Sequence, residues 1–108
     1  MLLRHATPAR NVNNILKAGL LTARSKGKLA AVWVCSPARS RWAILHTIGR
    51  HGGRVESTVV LELDIPRAWL RRHRKGLYFV PRDVPADRLR RVLTFQDMAA
   101  SPVEGAAG

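Results

Sequence analysis

The chain has 108 residues, 46% of them apolar, which is enough for one domain with a modest core. Its 19 Lys and Arg against 7 Asp and Glu give a net charge of +12, a balance that favours nucleic acid, a phosphorylated ligand or another polyanion. The single cysteine excludes an internal disulfide, the four histidines lack a His-x-x-x-His pair for a metal, and no apolar run approaches the ~20 residues of a membrane span.

The first element, LLRH at 2–5, reads as a short strand. MLLRHATP turns polar too soon for a secretory signal, so a cytoplasmic protein is expected. TPARNVNNILKAGL then carries a set of helix signals. Thr7 is placed to cap, Pro8 falls at the first helical position, and Gly19 follows the last turn. Val12, Ile15 and Leu16 give that helix one apolar face. LTARSKGK (21–28) is a basic, glycine-containing loop, and LAAVWVC (29–35) is an apolar run that predicts a buried strand with Cys35 in the core. Ser36-Pro37 repeats the cap-plus-proline start. The helix that follows has Ala38, Trp42, Leu45 and Gly49 in step, with Gly49 as its stop.

TVVLELD (58–64) alternates as a strand, with Val59, Leu61 and Leu63 on one face. IPRAWLRRHR predicts a short helical turn with a cationic end, and GLYFVP (76–81) another strand. VPADRLRRVLTF predicts a turn of helix at 85–90 and a last strand at 92–95. Residues 1–95 are thus expected to fold as one small α+β domain, and 96–108 to form a flexible, Gly/Ala-rich tail.

Several residues have chemistry to offer. His5, on a strand before small residues, leaves the backbone approachable and would bond a sugar hydroxyl, or else is a ring satisfied by a nearby carbonyl. Trp33 is either core or a platform for a flat ring, and Ser36 is most simply an N-cap. The stretch IGRHGG (48–53) is a helix stop, or a loop whose backbone N–H groups and Arg50 hold a phosphate. Arg71, Arg72, Arg74 and Lys75, with His73 among them, form either a solvated basic face or a surface that tracks a nucleic-acid backbone. Few exposed aromatics are expected for base stacking.

Taken in order, Leu3-Arg4-His5-Ala6-Thr7, Ile15 to Leu20, Val32-Trp33-Val34-Cys35-Ser36, Ile48-Gly49-Arg50-His51-Gly52, and Leu77 to Val80 with Val84-Pro85 resemble the NAD-using lobe of the RNA 2′-phosphotransferase family. That family lies within the ADP-ribosyltransferase superfamily, and the resemblance spans about residues 2–95. It implies a mostly antiparallel split sheet with two short helices, and NAD as co-substrate without a metal. It also implies transfer of ADP-ribose to or from a phosphate-bearing acceptor such as nucleic acid. His5 would contact the ribose hydroxyls, the Ala6 backbone would pair with the nicotinamide carboxamide, and Thr7 would support that turn. Trp33 takes the place of the family's second histidine beside the nicotinamide, and Ser36 is counted with it among the cofactor-binding residues. Arg50, with His51, would hold a phosphate, making His5 and Arg50 the catalytic pair. The family's N-terminal lobe has no counterpart in this stretch, so a partner chain supplying it is one expectation. A non-catalytic, basic nucleic-acid-binding module of the same fold is the alternative.

Overall fold

The computed structural model describes residues 1–25 and 29–99. β1 (Leu2–Pro8), β2 (Val32–Cys35), β3 (Thr58–Asp64), β4 (Arg71–Arg74), β5 (Leu77–Val80) and β6 (Leu89–Thr94) form one sheet in the order β4-β5-β2-β1-β3-β6. Every pairing is antiparallel, so the expected α+β class holds. α1 (Val12–Ala18) and α2 (Ser40–His51) are the two main helices.

β3 lies between β1 and β6 and is buried on both faces. Successive side chains of a strand point to opposite faces, so Val59, Leu61 and Leu63 join Leu3, Ile15 and Leu20 on the α1 side. Val60 turns the other way and packs against Ile44 of α2 and Leu93 of β6. The alternation read in TVVLELD is right, but it does not divide inside from outside, because both faces are covered.

Beside Val60 on the α2 side sits a carboxylate. Glu62 pairs across the strands with Arg4 of β1 and Arg91 of β6. Arg4 donates to Glu62 Oε2 from Nε at 3.3 Å and Nη2 at 3.2 Å, and Nη1 donates to Ser40 Oγ at 3.0 Å. Arg91 donates from Nε to Oε1 and from Nη2 to Oε2, both at 3.1 Å. Hydrogen bonds from Arg91, then from Arg4, hold the Glu62 carboxyl below its ordinary value against the opposing effect of burial.

Several boundaries differ from the sequence expectation. β1 continues through Thr7 and Pro8, which pair with Val59 and Thr58, and α1 starts only at Val12 after a 3₁₀ turn at Ala9–Asn11. Pairing with β3 outcompetes the local cap, so Thr7 Oγ1 instead accepts a bond from Asn11 Nδ2 at 3.4 Å. Gly19 does end α1, at φ 79°, and a Cβ there would lie 2.3 Å from the Val84 carbonyl oxygen. In α2 the stop is Gly52, at φ 76°, while Gly49 lies inside the helix. The buried face of α2 is Ser40, Ala43, Ile44 and Thr47, and Trp42 and Leu45 are exposed.

The stretch RRHR is a strand, not the end of a helical turn. The turn stops at Trp69, and Arg71–Arg74 pairs with β5 as the sheet edge. The turn expected at 85–90 is a single 3₁₀ turn at Ala86–Arg88, and β6 starts earlier than expected. Residues 95–99, most of them assigned to the tail, form a short helix whose Phe95 and Met98 pack beside Ile44 and Val60. The rest of that tail, and 26–28 of the basic loop, lie outside the described residues. No helix among the described residues is long and apolar enough to cross a membrane.

Candidate functional site

β1 runs the full length of β3, from Leu2↔Asp64 to Pro8↔Thr58, and β2 runs the full length of β5. Between β1 and β2 the ladder holds one pair, Arg4↔Cys35. The sheet is therefore two well-paired halves joined at a narrow seam. Beyond that pair the His5 ring spans the gap, with Nδ1 2.6 Å from the Trp33 carbonyl oxygen. A carbonyl only accepts, so Nδ1 carries the proton and Nε2 presents a lone pair. Burial lowers the pKa of His5 from its ordinary 6.5, the Trp33 carbonyl opposes this, and the charge of His51 adds to it. The ring is satisfied by a carbonyl, as one sequence reading expected, and it also forms part of a cleft wall.

That cleft has a volume of about 840 Å³, within the ~300–1,000 Å³ common for ligand sites. His5, Ala6, Thr7, Trp33, Arg50 and His51 all line it, although they come from β1, β2 and the end of α2. Ala6 has a negative φ, as do all described non-glycine residues, so it carries its Cβ without backbone strain. The Ala6 carbonyl accepts from Thr47 Oγ1 at 3.3 Å, which ties α2 to the cleft floor. Ser36 stands outside the cleft and caps nothing with its side chain; its N–H donates to the Gly76 carbonyl at 2.9 Å.

The basic cluster divides. Arg74 lines the cleft, whereas Arg71, Arg72 and Lys75 are exposed elsewhere on β4 and its turn. Arg71 Nη1 donates to the Ala68 and Leu70 carbonyls and so is partly committed to the fold. Cys35 is packed against Ala43 and Leu77, and burial pushes its thiol up to about 11 despite the charges of Arg4 and Arg39. A thiol held protonated in this way is core and no nucleophile.

The cleft also gathers residues that sequence reasoning did not assign to it. All four histidines line it, His46 and His73 included, and so does Trp42. Trp42 and His46 stack one helical turn apart, with centroids 4.9 Å apart and an interplanar angle of 13°. Trp33 meets His73 edge-on at 5.2 Å and Phe79 at 5.2 Å. Trp42, His46 and Arg50 fall at i, i+4 and i+8, a spacing that marks one helix face. That signal was available, but placing Trp42 in step with Ala38, Leu45 and Gly49 masked it. No described residue lining the cleft is acidic, and no three His, Cys, Asp or Glu among the described residues cluster so as to hold a metal. In comparison with known proteins, the sequence matches no family model and no curated protein.

Proposed function

We propose that the cleft binds NAD and that the protein transfers ADP-ribose to or from a phosphate-bearing acceptor, as its resemblance to the RNA 2′-phosphotransferases implies. One observation carries this: His5, Ala6, Thr7, Trp33, Arg50 and His51 come from separate elements and line a single cleft at the seam of the sheet. The donor set suits the ligand. The uncharged His5 ring offers Nε2 as acceptor for a ribose hydroxyl, and Trp33, exposed at 37%, offers a flat face to the nicotinamide. Arg50, at the open end of α2, supplies a forked donor for a phosphate.

Bound NAD would supply an ADP-ribosyl group whose leaving group is the cationic nicotinamide. The bond formed is from an acceptor phosphate oxygen to the ribose carbon; the bond broken is to the nicotinamide nitrogen, which keeps the electron pair. A phosphate oxygen already carries negative charge, so no general base is required, in keeping with a cleft whose described lining lacks a carboxylate. The side chains act by positioning and by offsetting phosphate charge.

A thermal-shift titration tests this. NAD at a hundredfold excess over its dissociation constant should stabilise the fold by about 2.7 kcal/mol, and Arg50→Ala should weaken that response. Because Arg50 is exposed, the variant should melt near the parent temperature without ligand. No shift at millimolar NAD would overturn the proposal. The second reading, a non-catalytic nucleic-acid-binding module, draws on β4, whose four residues Arg71–Arg74 are all exposed at the sheet edge.

A further inference from the structure

We propose that the outer face of α2 is a docking surface for an acidic amphipathic helix of another protein, with Trp42 and Leu45 as its anchors and Gly49 as the point of closest approach.

Each residue of an α-helix turns by about 100°, so the pole opposite a buried stripe can be read from the stripe's members. Ser40, Ala43, Ile44 and Thr47 are buried against the sheet. Trp42, Leu45 and Gly49 fall at the opposite pole, and all three are exposed. With Ala38, exposed in the turn before the helix, they recur at steps of four, three and four residues. Those are the steps of a seam between two packed helices. A helix at the surface of a soluble domain ordinarily gives this pole to charged or polar side chains. Here it carries an indole 43% exposed, which stacks on His46 and is thereby held in place.

Gly49 is the independent observation. It stands inside the helix, where glycine is weaker than alanine or any ordinary helix former. Its φ is not positive, and a Cβ built there would meet nothing within 4 Å. Neither backbone conformation nor packing among the described residues therefore asks for a glycine. A missing side chain at the pole does serve a neighbour from outside, because it lets a second backbone approach closely.

Charge selects the occupant. The chain has no acidic residue before Glu56, so α2 carries no carboxylate. Arg41 adjoins Trp42 and Arg39 precedes the helix, and both are exposed. A second copy docked through α2 would bring basic helices together with nothing to offset them. A helix with an apolar stripe flanked by Glu or Asp matches both the seam and its rim. α2 has 12 residues, about 18 Å at 1.5 Å per residue, so the contact is short and reversible.

The test uses a fluorescein-labelled peptide of about three heptads, with leucine at positions a and d and glutamate at e and g. Anisotropy is read with the full chain at physiological salt, which screens exposed charges that are not in contact. Micromolar binding is expected, and lysine at e and g or alanine at a and d should weaken it by at least about tenfold. Trp42→Ala should weaken binding by roughly 30-fold, the loss that marks an anchor residue. Gly49→Gln should weaken it by about tenfold while the melting temperature holds or rises, because glutamine is the better helix former. Equal binding of the alanine-seam peptide would reduce the effect to charge and overturn the proposal. So would unchanged affinity in Trp42→Ala, a lower melting temperature in Gly49→Gln, or self-association in sedimentation equilibrium that Trp42→Ala abolishes. Trp42-dependent binding to vesicles of phosphatidylcholine and phosphatidylserine, without peptide binding, would assign the face to a lipid surface and also overturn it. The titration contains no NAD, so its outcome is separate from that of the NAD thermal shift.

Discussion

On the α1 face of the sheet, Leu3, Ile15, Leu20, Leu61, Leu63 and Val80 close on one another as a single aliphatic cluster, several of them wholly inaccessible. On the α2 face Ile44 packs on Val60 and Leu93, and the rest of the helix's buried face is small or polar. Ser40 bonds Arg4, Thr47 bonds the Ala6 carbonyl, and Ala43 packs near Cys35 and Leu77. The first face gains from area removed from water, at about 25 cal/mol per Å², and tolerates many equivalent packings. The second fixes the helix by directional bonds, which set where the Trp42–His46–Arg50 stripe points. One side holds the fold together, and the other positions a surface.

The sharpest way to break the comparison is at the ion cluster, where the α2 face is most exacting. Glu62→Gln should destabilise the fold by about 3–5 kcal/mol, because it removes one partner of the buried Arg4–Glu62 ion pair. Arg91, more than half exposed, contributes less. Acid should act through the same carboxyl. The folded-state pKa of Glu62 is depressed, so its contribution is present above the ordinary 4.5 and is lost as pH falls through the folded value. Urea melts of parent and Glu62→Gln between about pH 7 and pH 3 should converge at the acid end. On the opposite face, Leu61→Ala should cost about 2–5 kcal/mol through the cavity it leaves, with little dependence on pH.

A smaller effect belongs to the seam. The neutral ring of His5 is favoured in the fold, so its pKa lies below 6.5 and the unfolded chain takes up the proton first. Stability is then full above pH 6.5, declines as pH falls through it, and levels off below the folded value. His5→Gln should flatten that decline in denaturant melts between about pH 8 and pH 5. An unchanged slope would show that His5 does not carry the decline.

What was legible in the sequence follows the same division. β3 was read to the residue because alternation and β-branched side chains agree, and Gly19 was read because only glycine meets both its φ and its closeness to Val84. The gathering of His5, Thr7, Trp33 and Arg50 was anticipated from motif order, not from spacing, since no local pattern brings β1 to α2. The register of α2 was misread because Trp42 and Leu45 are the more hydrophobic candidates. The buried choice, Ser40 and Thr47, follows from partners on β1 that lie 36 and 41 residues away in sequence. His73 enters the cleft only because RRHR pairs with β5 as a strand, which its charge disguises. Long-range partners decided these positions, and a linear pattern carries little trace of them.

The smallest expected effect is the one that most sharpens the contrast. Trp42→Ala should change stability by no more than about 0.5 kcal/mol, since the indole is exposed and its one described ring contact, with His46, is also at the surface. Such a result, beside a loss of several kcal/mol for Leu61→Ala, would separate a residue kept for the surface from one kept for the core. If Trp42→Ala instead cost about 3 kcal/mol, as removal of a packed Trp does, the indole would be structural and the α2 face would be a second, poorer core. The exposed Leu45, three residues on and at 62% exposure, is the internal control. Leu45→Ala should match Trp42→Ala in stability, because both side chains stand at the surface of the same helix.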